Sequence, residues 1–168
     1  MYVFQYGSNM STARLNSSGR LRGDAEFVSI VSTLEKFELD FTVWSGSNDC
    51  AAADLVPSKY GRKIFGALYT IPEDLIFRDR ARSGRTTMDA IEGEGRVYER
   101  INIGLLYNQS EIEALTYIVK EKKTGLKTKL HYAQHIIDGL DEHPIPAEYR
   151  EYVVARVELN NPELKGCF

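Results

Sequence analysis

Phe37-Glu38-Leu39-Asp40-Phe41-Thr42-Val43 alternates apolar and polar side chains from end to end. Successive side chains of a strand point to opposite faces, so this period of two predicts a strand buried on one face only. On its N-terminal side, 26–31 reads as a strand. So does Tyr2-Val3-Phe4-Gln5-Tyr6, short, aromatic and β-branched, which stops at Gly7. Ser11 reads as the N-cap of a short helix carrying Ala13 and Leu15, ended by the loop around Gly19.

On the C-terminal side, Trp44-Ser45-Gly46-Ser47-Asn48-Asp49 is turn chemistry, followed by a strand over 51–56 and a turn at Pro57. A further strand spans 63–71, where Gly66 marks either a bulge or a close approach of another group to the backbone. Pro72 suits the first turn of a helix running to Ala81. The stretch 78–87 contains Asp79-Arg80-Ala81-Arg82-Ser83-Gly84-Arg85, lacks apolar rhythm and reads as a mobile loop. Strands over 96–105 and 111–120 follow. A helix then carries Leu130, Ala133, Ile137 and Leu140 on one stripe, and another starts near Ala147.

Strands come early and long helices late, which argues against a doubly wound parallel sheet. The expected fold is α+β: a small mixed, mostly antiparallel, barrel-like sheet with flanking helices, in one domain over 1–168. No repeat, low-complexity tract or linker interrupts it.

Composition narrows the function classes. Hydrophobic residues make up 43% and charged residues 27%, which is globular usage rather than disorder. A net charge of −3 offers no positive field for nucleic acid or an anionic membrane, so neither partner is expected. The first residues lack the basic start and apolar run of a signal peptide, and no apolar stretch nears the ~18 residues of a membrane helix. Cys50 and Cys167 are too far apart in sequence to suggest a disulfide framework or zinc site. A cytoplasmic protein, monomer or homodimer, is the expectation.

Two segments carry chemistry. Tyr6-Gly7-Ser8-Asn9-Met10 lies where a strand ends and a short helix begins. Gly7 permits unusual backbone angles there, and main-chain N–H groups of such a turn can converge on a carboxylate or phosphate. Spacing alone fits an ordinary turn as well. Asp89-Ala90-Ile91-Glu92-Gly93 places Glu92 at the end of a short helix. Burial there would lift a carboxyl pKa from ~4.3 towards that of a working general base. A solvated acidic turn fits the same residues, since Glu94 and Glu99 are close by.

Taken together, these segments resemble those of the γ-glutamyl cyclotransferases and their AIG2-like relatives. Phe4-Gln5-Tyr6-Gly7-Ser8-Asn9-Met10 resembles the family's Tyr-Gly-Ser-Asn motif, and Lys36-Phe37-Glu38-Leu39-Asp40-Phe41 its second strand. Gly66-Ala67-Leu68-Tyr69, then Asp89-Ala90-Ile91-Glu92-Gly93 and Tyr98, resembles the segment bearing the catalytic glutamate. Leu115-Thr116-Tyr117-Ile118 fits the strand whose tyrosine faces the pocket, and 132–152 looks like the C-terminal helices.

The resemblance implies a small, nearly closed sheet and an intramolecular aminolysis that releases 5-oxoproline and a free amine from a γ-glutamyl substrate. It implies Glu92 as general acid/base. Tyr6, Gly7, Ser8, Asn9, Met10 and Tyr117 become substrate-binding residues, and no metal or organic cofactor is required. Substrates specialised as γ-glutamyl amines or protected metabolites, and a non-catalytic binding module on the same fold, remain open beside γ-glutamyl amino acids.

Two departures stand out. Extra residues lie between Pro72 and Asp89, carrying Arg78, Arg80, Arg82 and Arg85, as a loop over the pocket or a solvated excursion. Gln5 stands where the family commonly has a small residue. Other features carry less. His131 and His135 have ligand-like i,i+4 spacing but no third ligand. The lysines at 120, 122, 123, 127 and 129 read as a solvated segment. Cys50 has no activating neighbour in sequence.

Overall fold

Tyr2–Gln5 forms β1, a short strand buried from Val3 onward. In the computed structural model, which describes residues 1–168, β1 lies between two other strands. It is antiparallel to β5 (Phe65–Thr70) and parallel to β7 (Ser110–Val119). β5 also pairs with β2 (Glu26–Thr33), β2 with β6 (Tyr98–Tyr107), and β6 with β7. The result is a closed barrel in the order β1-β5-β2-β6-β7, in which only the β1–β7 pair is parallel. This is the mixed, mostly antiparallel sheet that the sequence leads one to expect.

Gly66 marks a close approach. A Cβ there would lie 2.4 Å from the Gln5 carbonyl oxygen and 2.6 Å from the Phe4 ring, so no side chain fits between β5 and β1. Between β6 and β7 the chain turns at Asn108 and Gln109, both in the left-handed region (φ 48° and 64°), as a tight hairpin matching strand twist requires.

β3 (Phe37–Ser45) and β4 (Cys50–Pro57) form a separate two-stranded sheet. Phe37, Leu39 and Phe41 are buried as their alternation predicts, but the alternation does not reach Val43. The register shifts between Phe41 and Val43, so Thr42 is buried and Val43 only half-buried. The cause is Asp54, a fully buried carboxylate on β4. It accepts from the Thr42 hydroxyl (2.8 Å), the Lys122 ammonium (2.5 Å) and the Val119 N–H of β7 (2.9 Å). Turning Thr42 inward satisfies part of that carboxylate, and the Val119 bond ties the hairpin to the barrel. β3 also continues through Trp44 and Ser45, which the sequence assigns to the turn.

Four α-helices complete the fold: α1 (Thr12–Leu15), α2 (Met88–Glu92), α3 (Leu130–Asp141) and α4 (Ala147–Asn160). Ser11 caps α1 through its hydroxyl, 3.3 Å from the Arg14 N–H. α3 buries Tyr132, Ala133, Ile136, Ile137 and Leu140, while Leu130, expected on that stripe, is exposed. α4 lies against β3, where the Tyr152 hydroxyl accepts from the Leu39 N–H and Arg156 Nε donates to the Leu39 carbonyl. No helix is long and apolar enough to cross a membrane.

The helix expected over 72–81 is not formed. Two 3-10 turns, Glu73–Leu75 and Arg78–Arg80, are separated by an extended Phe77. The Asp89 side chain accepts from the Arg78 N–H and the Ile76 carbonyl accepts from the Asp89 N–H, so α2 takes the backbone groups a helix would use. Three of the four arginines of the stretch expected to be mobile are ion-paired, and the fourth, Arg78, donates to the Asp89 carbonyl at 3.0 Å. Arg80 meets Glu73 (2.9 Å), Arg82 meets Asp74, and Arg85 meets Asp24 and the Leu21 carbonyl.

Asp54 therefore carries a testable share of stability. Asp54→Ala leaves the Lys122 ammonium without its partner and the buried Val119 N–H without an acceptor. It should cost about 2–4 kcal/mol in urea unfolding, against about 1–2 kcal/mol for Asp54→Asn. Equal, small losses from both would contradict this role.

Candidate active site

At the end of β1 the chain passes through Tyr6 and Gly7 into a buried 3-10 turn, Ser8–Met10. Tyr6 donates its hydroxyl to the Tyr117 carbonyl of the neighbouring strand β7 at 2.6 Å. Gly7 sits at φ −111° and ψ −145°, outside the main α and β regions, as the sequence leads one to expect. Its lack of a side chain matters for space as well, since a Cβ would press on Ala53 at 3.3 Å.

Asn9 joins the two chemical segments. Its Oδ1 accepts from Arg20 at 2.7 Å, and its Nδ2 donates to Glu92 Oε1 at 2.7 Å. A guanidinium can only donate and an ionised carboxylate can only accept, so these neighbours fix which way the amide points.

Glu92 ends α2, and Gly93 stops the helix in the left-handed conformation (φ 66°). Thr87 caps its start, 3.2 Å from the Ala90 N–H. The helix is anchored by Asp89, whose buried carboxylate accepts from Tyr117 Oη (2.8 Å), Arg100 Nη1 (2.5 Å) and the Arg78 N–H (3.1 Å). Tyr117 thus lines the site as a wall, its hydroxyl proton committed to Asp89.

Gln5, Tyr6, Gly7, Ser8, Asn9, Glu92 and Tyr117 line one small inner cavity of about 30 Å³, with Ala53, Tyr98, Thr116 and Tyr132 completing it. Ser8, Asn9, Glu92, Tyr98 and Tyr132 also line a wider outer cavity of about 320 Å³. The structure therefore brings together every expected site residue except Met10. That side chain is fully buried in the core, and its carbonyl accepts from Tyr69 Oη at 2.8 Å.

Burial dominates the electrostatics. It raises the pKa of Glu92 above the ordinary 4.5, against the opposing pull of Arg20, the Asn9 hydrogen bond and Arg14. The phenols of Tyr6 and Tyr98 are pushed well above their usual range, and that of Tyr132 upward, in each case chiefly by desolvation. Their hydroxyls stay neutral and serve as hydrogen-bonding groups. Ala53 of β4 shows how: its N–H donates to Tyr132 Oη at 3.0 Å, and its carbonyl accepts from Tyr98 Oη at 2.9 Å.

Several of these residues escape sequence reasoning. Arg14 and Arg20 lie in and after a short helix with no pattern to single them out. Tyr132 sits on an ordinary helical stripe. Gln5 is visible as a departure from the family, but its consequence is not: Nε2 is buried with no hydrogen-bond partner. No group of three or more His, Cys, Asp or Glu side chains is placed to hold a metal ion. His131 instead lies 2.8 Å from the Asn48 carbonyl.

The fold and the site can now be set beside known proteins. Over 91% of this chain and 85% of the other, it superposes on a γ-glutamyl cyclotransferase with a TM-score of 0.75 at 22% identity. The human protein loc79017 gives 0.73 at 24% identity, over 90% of this chain and 85% of that one. YkqA from Bacillus subtilis gives 0.74 at 24% identity, over 94% of this chain and 54% of that one. At such identities the likeness is one of fold. No curated protein matches the sequence. The sequence model of the AIG2-like family, however, matches residues 63–153, more than half the chain, including the Asp89-to-Gly93 segment and Tyr117. The chain belongs to the AIG2-like family.

Proposed function

We propose that this protein is a γ-glutamyl cyclotransferase, with Glu92 as its general acid/base. The observation that carries the reading is the 2.7 Å hydrogen bond from Asn9 to Glu92, which puts the carboxylate and the Tyr6-to-Asn9 turn in one cavity.

The reaction is a ring closure. The α-nitrogen of a γ-glutamyl group attacks its own side-chain amide carbon, a new C–N bond forms, and the old amide bond breaks. Two protons leave the α-ammonium and both end on the departing amine, so the products are 5-oxoproline and a free ammonium, with no water consumed. Glu92 is suited to carry those protons because it is partly withdrawn from water and raised in pKa, nearer to the groups it must exchange with. Main-chain N–H groups of residues 7–9 hold the substrate α-carboxylate, and Gln5 Nε2 supplies a further donor. Ring closure depends mainly on holding nucleophile and carbonyl in contact, and walls made of neutral tyrosines do that without competing for protons.

Incubation with γ-glutamyl amino acids, γ-glutamyl amines and glutathione should release 5-oxoproline, detected by mass spectrometry. Glu92→Gln should lower turnover by about 10²–10⁴-fold while substrate binding persists. Binding without release in the wild-type protein would leave a receptor rather than an enzyme.

The same variant has a stability signature. The folded protein holds the Glu92 proton more tightly than the unfolded chain does, so this carboxyl costs stability as pH rises above 4.5 through its raised value. Glu92→Gln should therefore melt at or above the wild-type temperature at pH 8, with the gap closing towards pH 4. A lower melting temperature at pH 8 would contradict the direction of the shift.

A further inference from the structure

Three arginines line the outer cavity beyond Glu92: Arg14, Arg20 and Arg96. None is paired with a carboxylate. Arg14 donates to the Asn48 side chain at 3.3 Å, its Nε is buried without a partner, and Arg20 donates to Asn9. Half of the chain's twelve arginines are placed differently. Arg80, Arg82, Arg85, Arg100, Arg150 and Arg156 all lie within ion-pair distance of Asp or Glu.

The only acidic side chain lining the outer cavity is Glu92 itself. One negative charge therefore faces three positive ones, in a protein whose net charge is −3. Withdrawal from water holds the pKa of Arg14 and Arg20 below the usual value, and Arg20 depresses Arg14 further. The charges of Arg14 and Arg20 are close together, partly desolvated and without a carboxylate of their own, while Arg96 is an exposed residue on the wall of the same cavity.

The reaction geometry says what would compensate them. On the cyclotransferase reading, the γ-glutamyl head is anchored by its α-carboxylate at the turn over 7–9 beside the inner cavity, and its ammonium and carboxylate cancel. The departing amine must then extend past Glu92 into the outer cavity, the space shared by the Glu92 carboxylate and the arginines. We propose that this cavity selects a leaving amine carrying two negative charges, such as an acidic amino acid or the acidic end of a peptide, over a neutral or cationic amine. Two anionic groups there bring the cavity to electroneutrality, and planar guanidinium groups suit carboxylates. The arginines of the inserted stretch do not line this cavity and contribute nothing to this preference, although sequence alone points to them first.

The test compares γ-glutamyl-glutamate, γ-glutamyl-alanine and γ-glutamyl-methylamide as substrates, whose leaving groups carry two, one and no carboxylates. The kcat/KM for 5-oxoproline release should rise about tenfold or more with each added carboxylate, as expected for charge-assisted bonds. The preference should shrink with added salt. Arg14→Gln and Arg96→Gln should each lower the ratio of γ-glutamyl-glutamate to γ-glutamyl-methylamide by about tenfold, a change in discrimination that mere unfolding does not produce. Equal rates for the three substrates, or a preference for the methylamide, would overturn the proposal while leaving the cyclotransferase reading intact.

If no substrate yields 5-oxoproline, calorimetric binding of the same three compounds decides the matter. Tighter binding of γ-glutamyl-glutamate, lost in Arg14→Gln, would sustain the anion preference without the reaction. Indifferent or absent binding would overturn both.

Discussion

Asn9 and Glu92 are 83 residues apart in sequence and 2.7 Å apart in space, and barrel closure is what brings them together. β1 must lie between β5 and β7 for its C-terminal end to meet the end of α2. Each contact along that path is short of room. Gly66 lets β5 approach β1, Thr116 Oγ1 donates to the Phe4 carbonyl from β7, and Tyr6 spans to the Tyr117 carbonyl. A barrel opened on either side of β1 would separate the turn from the carboxylate and dissolve the site.

The site is also a compromise between desolvation and charge. Withdrawing Glu92 from water raises its pKa, whereas two arginines and an amide donor push the other way, and withdrawal wins. Asn9 stands between Arg20 and Glu92, and the two are bridged through its amide. An intimate pair would hold the carboxylate firmly ionised and make it a weaker base. An amide spacer keeps the positive charge near without that penalty.

Much of the fold is legible in the sequence because it rests on local pattern. The alternation from Phe37 to Phe41, the cap at Ser11 and the apolar stripe of α3 each follow from neighbours a few residues away. What is not legible depends on distant partners. Thr42 turns inward because Asp54 needs a donor, and 72–81 fails to form a helix because Asp89 takes its backbone groups. Gly7 answers to the nearness of Ala53 as well as to its own angles. For the candidate site, the two chemical segments are readable as motifs, while Arg14, Arg20, Tyr98 and Tyr132 acquire meaning only when the chain has folded around them.

The same tyrosines have a second effect. β3 and β4 pair with no other strand, and beyond backbone bonds at Phe37, Thr42 and Ala51 their outer sides need cover from side chains. Leu39 on β3 is covered by Tyr152 and Arg156, and Ala53 on β4 by Tyr98 and Tyr132. Uncovered strand edges are templates for aggregation, and side-chain hydroxyls here stand where a neighbouring chain would bind. Substrate pocket and solubility thus share residues: a change at Tyr98 or Tyr132 that alters specificity also unmasks an edge, which limits how freely this pocket can be remodelled by evolution or by design.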